Sequence, residues 1–111
     1  MREYNIKMDM PSVEIAVKRL DAIIQEARYQ RLKIIKIIHG YGSSGVGGKI
    51  KTFIQQSLRE KYNKKVIKAY IPGEAFCELL GFDYEITKYK GLINRDNESL
   101  ICNNGITYII I

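Results

Sequence analysis

The residues with the most chemistry to offer lie between Lys33 and Leu58, in the stretch KIIKIIHGYGSSGVGGKIKTFIQQSL. An apolar run ends in His39, the single histidine of the chain, and five glycines and two serines follow between Gly40 and Gly48. A strand that passes through a glycine loop into a helix start builds an anion site. The first helical turn has unpaired N–H groups and carries partial positive charge. Glycine lets the backbone approach an oxyanion closely, and an imidazole at the mouth titrates near neutral pH. Phosphate is the first expectation. Gly40 and Gly42 would set the loop conformation, and Ser43 and Ser44 offer hydroxyls to phosphate. Tyr41 either stacks on an exposed base or packs on its own loop. Lys49 and Lys51 oppose the dipole at the helix start, which an anionic ligand would explain.

His39 has two readings: a structural polar residue at a strand end, or a phosphate contact or general acid–base in phosphodiester cleavage. Its place between a glycine loop and a basic helix favours the second. Asp9 could orient His39, activate water or hold a metal ion; it reads equally well as a turn residue. One carboxylate without an acidic neighbour makes a poor two-metal site. Cys77 and Cys102 read as two isolated thiols without CxxC spacing, and with one histidine they complete no zinc set.

The elements that must position these groups follow from periodicity. Residues 4–10 alternate Tyr4, Ile6, Met8 and Met10 with polar residues, a first strand ending near Asp9, with Met8 and Met10 expected in the core. Pro11 stops it and Ser12 caps a helix to about Tyr29, with Val13, Ala16, Val17, Leu20, Ile23, Ile24 and Ala27 at helical spacing. Lys33 to Ile38 reads as a strand covered on both faces. A second helix begins near Gly48 and ends before Asn63. Val66 to Ile71 is a third strand, stopped by Pro72 and Gly73. A short helix is expected over Glu74–Leu80, then polar turns through Asn94 to Asn97, and a final strand over Gly105–Ile111.

The order β-α-β-α-β-β implies one α/β domain over 1–111: a two-layer sandwich on a mixed four-stranded sheet. Right-handed crossovers put both helices on one face and the first three strands parallel. Their carboxyl ends share one edge. Asp9, His39 and the glycine loop should meet there, joined by Asn103 and Asn104 if the last strand runs antiparallel.

Charge is uneven along the chain. The total is +6, yet residues 28–68 hold eleven Lys/Arg against Glu60 alone, a local +10. Such a field attracts polyanions. The 46% hydrophobic and 27% charged content is ordinary for a globular domain. No apolar run is long enough to span a bilayer and MREYNIKMDM has no signal h-region; a cytoplasmic protein without a membrane partner is expected.

Gly40–Gly45 fits the G-x-G-x-x-G dinucleotide fingerprint, but the next strand ends without the acid that holds a ribose. A Walker A loop fails twice, at Ser43 and at Ile50 after Lys49. IIHGYG with the basic helix start KIKTFIQQSL resembles the HGxG motif of the Smr (small MutS-related) domain family. MDMPSVEIAVKRLDAIIQEA resembles that family's opening strand and helix, and NNGITYII its closing strand. The resemblance covers most of the chain and implies a fold similar to the C-terminal domain of bacterial translation initiation factor three. It also implies binding of DNA or RNA and, in many members, endonuclease activity, for which Mg or Mn would be the expected metal. Asp9 occupies the aspartate position of the family's first motif, where Met10 replaces the histidine and Pro11 the glycine. Lys49 or Lys51 stands in for the helix-start arginine, and residues 72–98 form an insertion. The phosphate-binding set is therefore Gly40, Tyr41, Gly42, Ser43, Ser44, Lys49, Lys51 and Asn104, with His39 and Asp9 as the catalytic pair. Two other classes stay open: a module for a nucleotide or small phosphorylated ligand, and a ribosome or protein interaction module.

Overall fold

The computed structural model describes residues 1–40, 46–94, 96, 99 and 101–111. In chain order its elements are β1 (Arg2–Asn5), α1 (Val13–Tyr29), β2 (Ile34–Ile38), α2 (Val46–Asn63) and β3 (Ala69–Pro72). A single 3₁₀ turn (Gly73–Phe76), α3 (Asp83–Ile93) and β4 (Ile106–Ile110) complete it. The sheet order is β1-β2-β4-β3. β1 and β2 are parallel, and β4 runs antiparallel between β2 and β3. This is the mixed four-stranded α/β sandwich expected from the pattern.

Alternation along β2 divides the core in two. Ile35 and Ile37 face α1 and α2, where Ala16, Leu20, Ile24 and Ala27 meet Ile50, Ile54 and Leu58. Ser12 caps α1, its hydroxyl accepting from Ile15 N–H at 3.2 Å. Ile34 and Ile38 face the other way, onto Ile71, Ile106 and Tyr108, and this second cluster is closed by Phe76, Phe82, Ile86, Tyr89 and Ile93. The segment expected to be irregular thus contains α3, which covers the opposite face as a third layer. Phe82, Ile86, Tyr89 and Ile93 recur at helical spacing, and a doubly apolar β2 needs such a cover.

Three further expectations change. The first strand stops at Asn5 rather than near Asp9, because Ile6 to Met10 leave the sheet in a turn with Asp9 (φ 64) and Met10 (φ 50) left-handed. Met8 and Met10 are accordingly not core residues: they are 58% and 78% exposed. The third strand starts at Ala69 instead of Val66, since the α2 terminus continues through Lys65 and Val66. The helix expected over Glu74–Leu80 is only the 3₁₀ turn Gly73–Phe76.

Cys77 and Cys102 are not isolated. They form a disulfide with Cα atoms 5.9 Å apart, linking the end of the 3₁₀ turn to the loop before β4. Sequence separation of 25 concealed that proximity; it exists because β3 and β4 are neighbours and the segment between them returns across one face.

Lys36, the single interruption in the isoleucine run, points to the α3 face and is 4% exposed. Its Nζ lies 3.0 Å from Asp96 Oδ2 and 3.1 Å from Glu3 Oε2. The Tyr108 hydroxyl donates to Asp96 Oδ2 at 2.8 Å. Asp96 therefore anchors the segment between β3 and β4 to the sheet. Among the described residues no helix is long and apolar enough to cross a membrane.

Candidate functional site

The carboxyl ends of β1 and β2 and the start of β4 form one edge. His39 follows β2 directly, and its backbone N–H and that of Gly40 both donate to Gly105 O, at 3.0 and 3.1 Å. Gly40 has φ +87, a conformation that L side chains adopt at a cost of about 1–2 kcal/mol. A Cβ there would stand 3.4 Å from Lys7 Cδ, so the Lys7 stem already lies along this backbone. Asn103 Oδ1 accepts from Gly105 N–H at 2.8 Å and shapes the entry to β4. Asn104 is exposed at that same entry.

His39 is 1% exposed. Odd positions of β2 face the helices, and His39 continues that series, so its ring is covered. Nδ1 lies 2.9 Å from Gly40 O and Nε2 2.8 Å from Thr107 Oγ1. A carbonyl only accepts, which assigns the proton to Nδ1; in the neutral ring Nε2 then accepts from the Thr107 hydroxyl. Burial lowers the pKa of His39, and the Lys51 charge adds to this; the Gly40 and Ile106 backbone and Glu74 act the other way. The neutral ring is favoured, so a phosphate contact as imidazolium is the less favoured of its two sequence-derived roles.

That depression has a consequence for stability. Below its ordinary value near 6.5, the unfolded chain binds a proton that the folded chain resists. Stability is then full above pH 6.5 and falls as pH drops toward the folded value, by at most about 1.4 kcal/mol per pH unit. Urea unfolding between pH 7.5 and 5 should show this loss in the wild type and a flatter profile in His39→Asn. Equal profiles in the two proteins would exclude the linkage.

Lys51 in α2 donates to Glu74 Oε2 at 2.5 Å, both side chains largely buried. A cation near the positive end of a helix is thus balanced internally by the 3₁₀ turn. Glu74 Oε1 is buried without a hydrogen-bond partner among the described residues. Lys49 is exposed. Asp9 is exposed too, in the turn that Arg19 fixes from α1: its Nη1 donates to Ile6 O at 2.9 Å and to Met8 O at 2.7 Å. Tyr41, Gly42, Ser43 and Ser44 lie outside the described residues, as does Glu98.

The fold therefore brings His39, Gly40, Lys51, Asn103 and Asn104 to the same edge. Sequence reasoning missed Thr107, Glu74, Lys7 and Arg19. Thr107 was legible only through register, since it pairs with Ile37 across β2–β4. Among the described residues, no three His, Cys, Asp or Glu side chains form a metal-holding group.

Comparison with known proteins bears on the same stretch. The Smr domain family model matches residues 9–75, from the Asp9 turn through His39 to the 3₁₀ turn; α3 and β4 lie beyond it. Endonuclease MutS2 of Aquifex aeolicus (strain VF5) is 36% identical over 62 residues, covering 56% of this chain. The chain spans only 8% of that relative's length. No solved structure matches.

Proposed function

Since the chain belongs to the Smr domain family, we propose that it binds nucleic acid at the edge carrying His39, Gly40, Lys49 and Asn104. The observation that carries this reading is the extent of the family match. It begins at Asp9 and includes His39 and the two lysines in the first turns of α2, Lys49 and Lys51, groups that come from separate elements of the fold. The name of the MutS2 relative adds endonuclease activity to the proposal. For phosphodiester hydrolysis we assign His39, its ring oriented by Gly40 O and the Thr107 hydroxyl, as the acid–base group and Asp9 as the carboxylate that activates water. The sugar-phosphate backbone would meet the helix start and Lys49. No step is routed through a metal, and the setting is the cytoplasm.

Fluorescence anisotropy on duplex DNA, single-stranded DNA and hairpin RNA tests the binding. Affinity should fall steeply with salt, by about 0.7–0.9 in log–log slope per phosphate neutralised. A shallow slope with tighter binding of a mononucleotide would replace nucleic acid by a small phosphorylated ligand. Cleavage is tested separately with Mg or Mn supplied: His39→Ala should abolish it while leaving affinity nearly intact. Met10 is exposed, so Met10→His places an imidazole next to Asp9 without disturbing the core. If proton transfer limits the reaction, that variant should cleave faster, toward the ~10²–10⁴-fold a well-placed group supplies. Absence of cleavage in both wild type and Met10→His removes the nuclease claim and leaves binding.

A further inference from the structure

The basic segment does not gather at the His39 edge. Arg28 and Arg31 close α1, Lys33 precedes β2, Lys64 and Lys65 follow α2, and Lys68 precedes β3. Chain direction puts all six at the opposite edge, where β2 and β3 begin and β4 ends. Two backbone bonds tie the place together: Lys68 N–H donates to Ile110 O at 2.9 Å and Ile111 N–H to Lys33 O at 3.1 Å. Arg28, Arg31, Lys33 and Lys68 line a cavity of about 400 Å³, with Tyr89 and Leu92 of α3 on its side. No acidic side chain lines it, and among the described residues none of the four cations forms an ion pair.

Helix dipoles account for a cation in the last turn of α1. They do not account for Lys33 and Lys68, which precede strands. A second observation is independent of charge counting. Arg31 (φ 57) and Lys65 (φ 62) occupy the left-handed residue that ends α1 and α2. In both, the next N–H reaches back to the carbonyl five residues earlier, Leu32 to Ala27 at 3.0 Å and Val66 to Lys61 at 2.8 Å. Glycine takes this position without a Cβ penalty. Both helices instead place a long cation there, on the same edge.

We infer that this edge is a second nucleic-acid contact, taking the backbone phosphates of a strand across Arg28, Arg31, Lys33 and Lys68 with Tyr89 beside a base. A polymer fits better than a single small anion because the six cations spread from the cavity to both helix ends rather than converging on one point. The inference rests on the proposed nucleic-acid reading and adds the surface that supplies most of its electrostatics.

The test is anisotropy on the same three nucleic acids between 50 and 200 mM KCl, using the full chain. Arg31→Ala/Lys33→Ala/Lys68→Ala should weaken binding at least tenfold and flatten the salt slope by about 2, at 0.7–0.9 per lost phosphate. Arg31→Lys/Lys33→Arg/Lys68→Arg, which keeps the charge, should restore both. Arg31→Gly/Lys65→Gly supplies a readout that a structural role does not: melting temperature no lower than wild type, with weaker binding. Wild-type binding with unchanged slope and affinity in both the alanine and glycine variants overturns this inference and leaves the His39 edge standing. Failure of the wild type to bind any of the three overturns both.

Discussion

Gly73→Ala should unfold this domain or cost it several kcal/mol. A Cβ at Gly73 would stand 1.9 Å from Asn103 O and 2.9 Å from Ile106 Cγ1. The first contact is with backbone, so no rotamer change relieves it. Either the 3₁₀ turn or the entry to β4 must move, and both are committed. The turn carries Glu74, which holds Lys51; the β4 entry carries Gly105, which receives the His39 and Gly40 amides. Overpacking usually costs 1–3 kcal/mol and more against rigid backbone, so about 3 kcal/mol or more is expected. In a domain of this size that lowers the melting temperature by at least ~12 °C. A melting temperature within 3 °C of wild type would mean that the two segments separate readily.

Asp96→Ala should be the costliest polar substitution. It removes one carboxylate from Lys36 and the acceptor of the Tyr108 hydroxyl. Glu3, half exposed, would remain beside the buried ammonium. Removing one partner of a buried pair costs roughly 3–5 kcal/mol; the remaining Glu3 places the expectation near the lower figure. Lys36→Met keeps the apolar stem and removes the charge that requires neutralising. In that background Asp96→Ala should cost less by about 1–3 kcal/mol, the range for contacting pairs. Equal costs in the two backgrounds, measured by urea unfolding, would show that Asp96 acts through Tyr108 rather than through Lys36.

Much of the fold was legible because its signals are local. The isoleucine run of β2, the helical spacing from Val13 to Ala27 and the Ser12 cap each fix an element without reference to the rest. The edge holding His39 and Gly40 followed from crossover handedness, and Asn104 joins it because β4 runs antiparallel. What escaped was set by distant partners. Asp9 and Met10 continue the alternation of Tyr4 and Ile6, yet Arg19 draws the chain out of the sheet there. α3 was hidden by Lys88, Lys90 and Asp83 on its outer side, although Phe82, Ile86, Tyr89 and Ile93 mark its inner one. The role of Glu74 depends on Lys51, 23 residues away, and no spacing rule connects them. Charge misled most: of the eleven cations between Arg28 and Lys68, six lie at the edge opposite His39, Lys49 and Lys51 lie at the start of α2, and Lys36 is buried in the sheet.

The position of β4 also sets an order in time. The strand made last lies in the middle of the sheet, between β2 and β3. A chain emerging from the ribosome can pair β1 with β2 and lay α1 and α2 on them. β3 meanwhile has no strand to join, and its edge stays open until residues 106–110 arrive. Pairings that span the chain close late because the intervening loop must be ordered first. Until then the nascent domain exposes two strand edges, the state most prone to pair with a neighbouring chain. A stop codon shortly before Ile106 would therefore yield an aggregating half-sheet rather than a smaller domain.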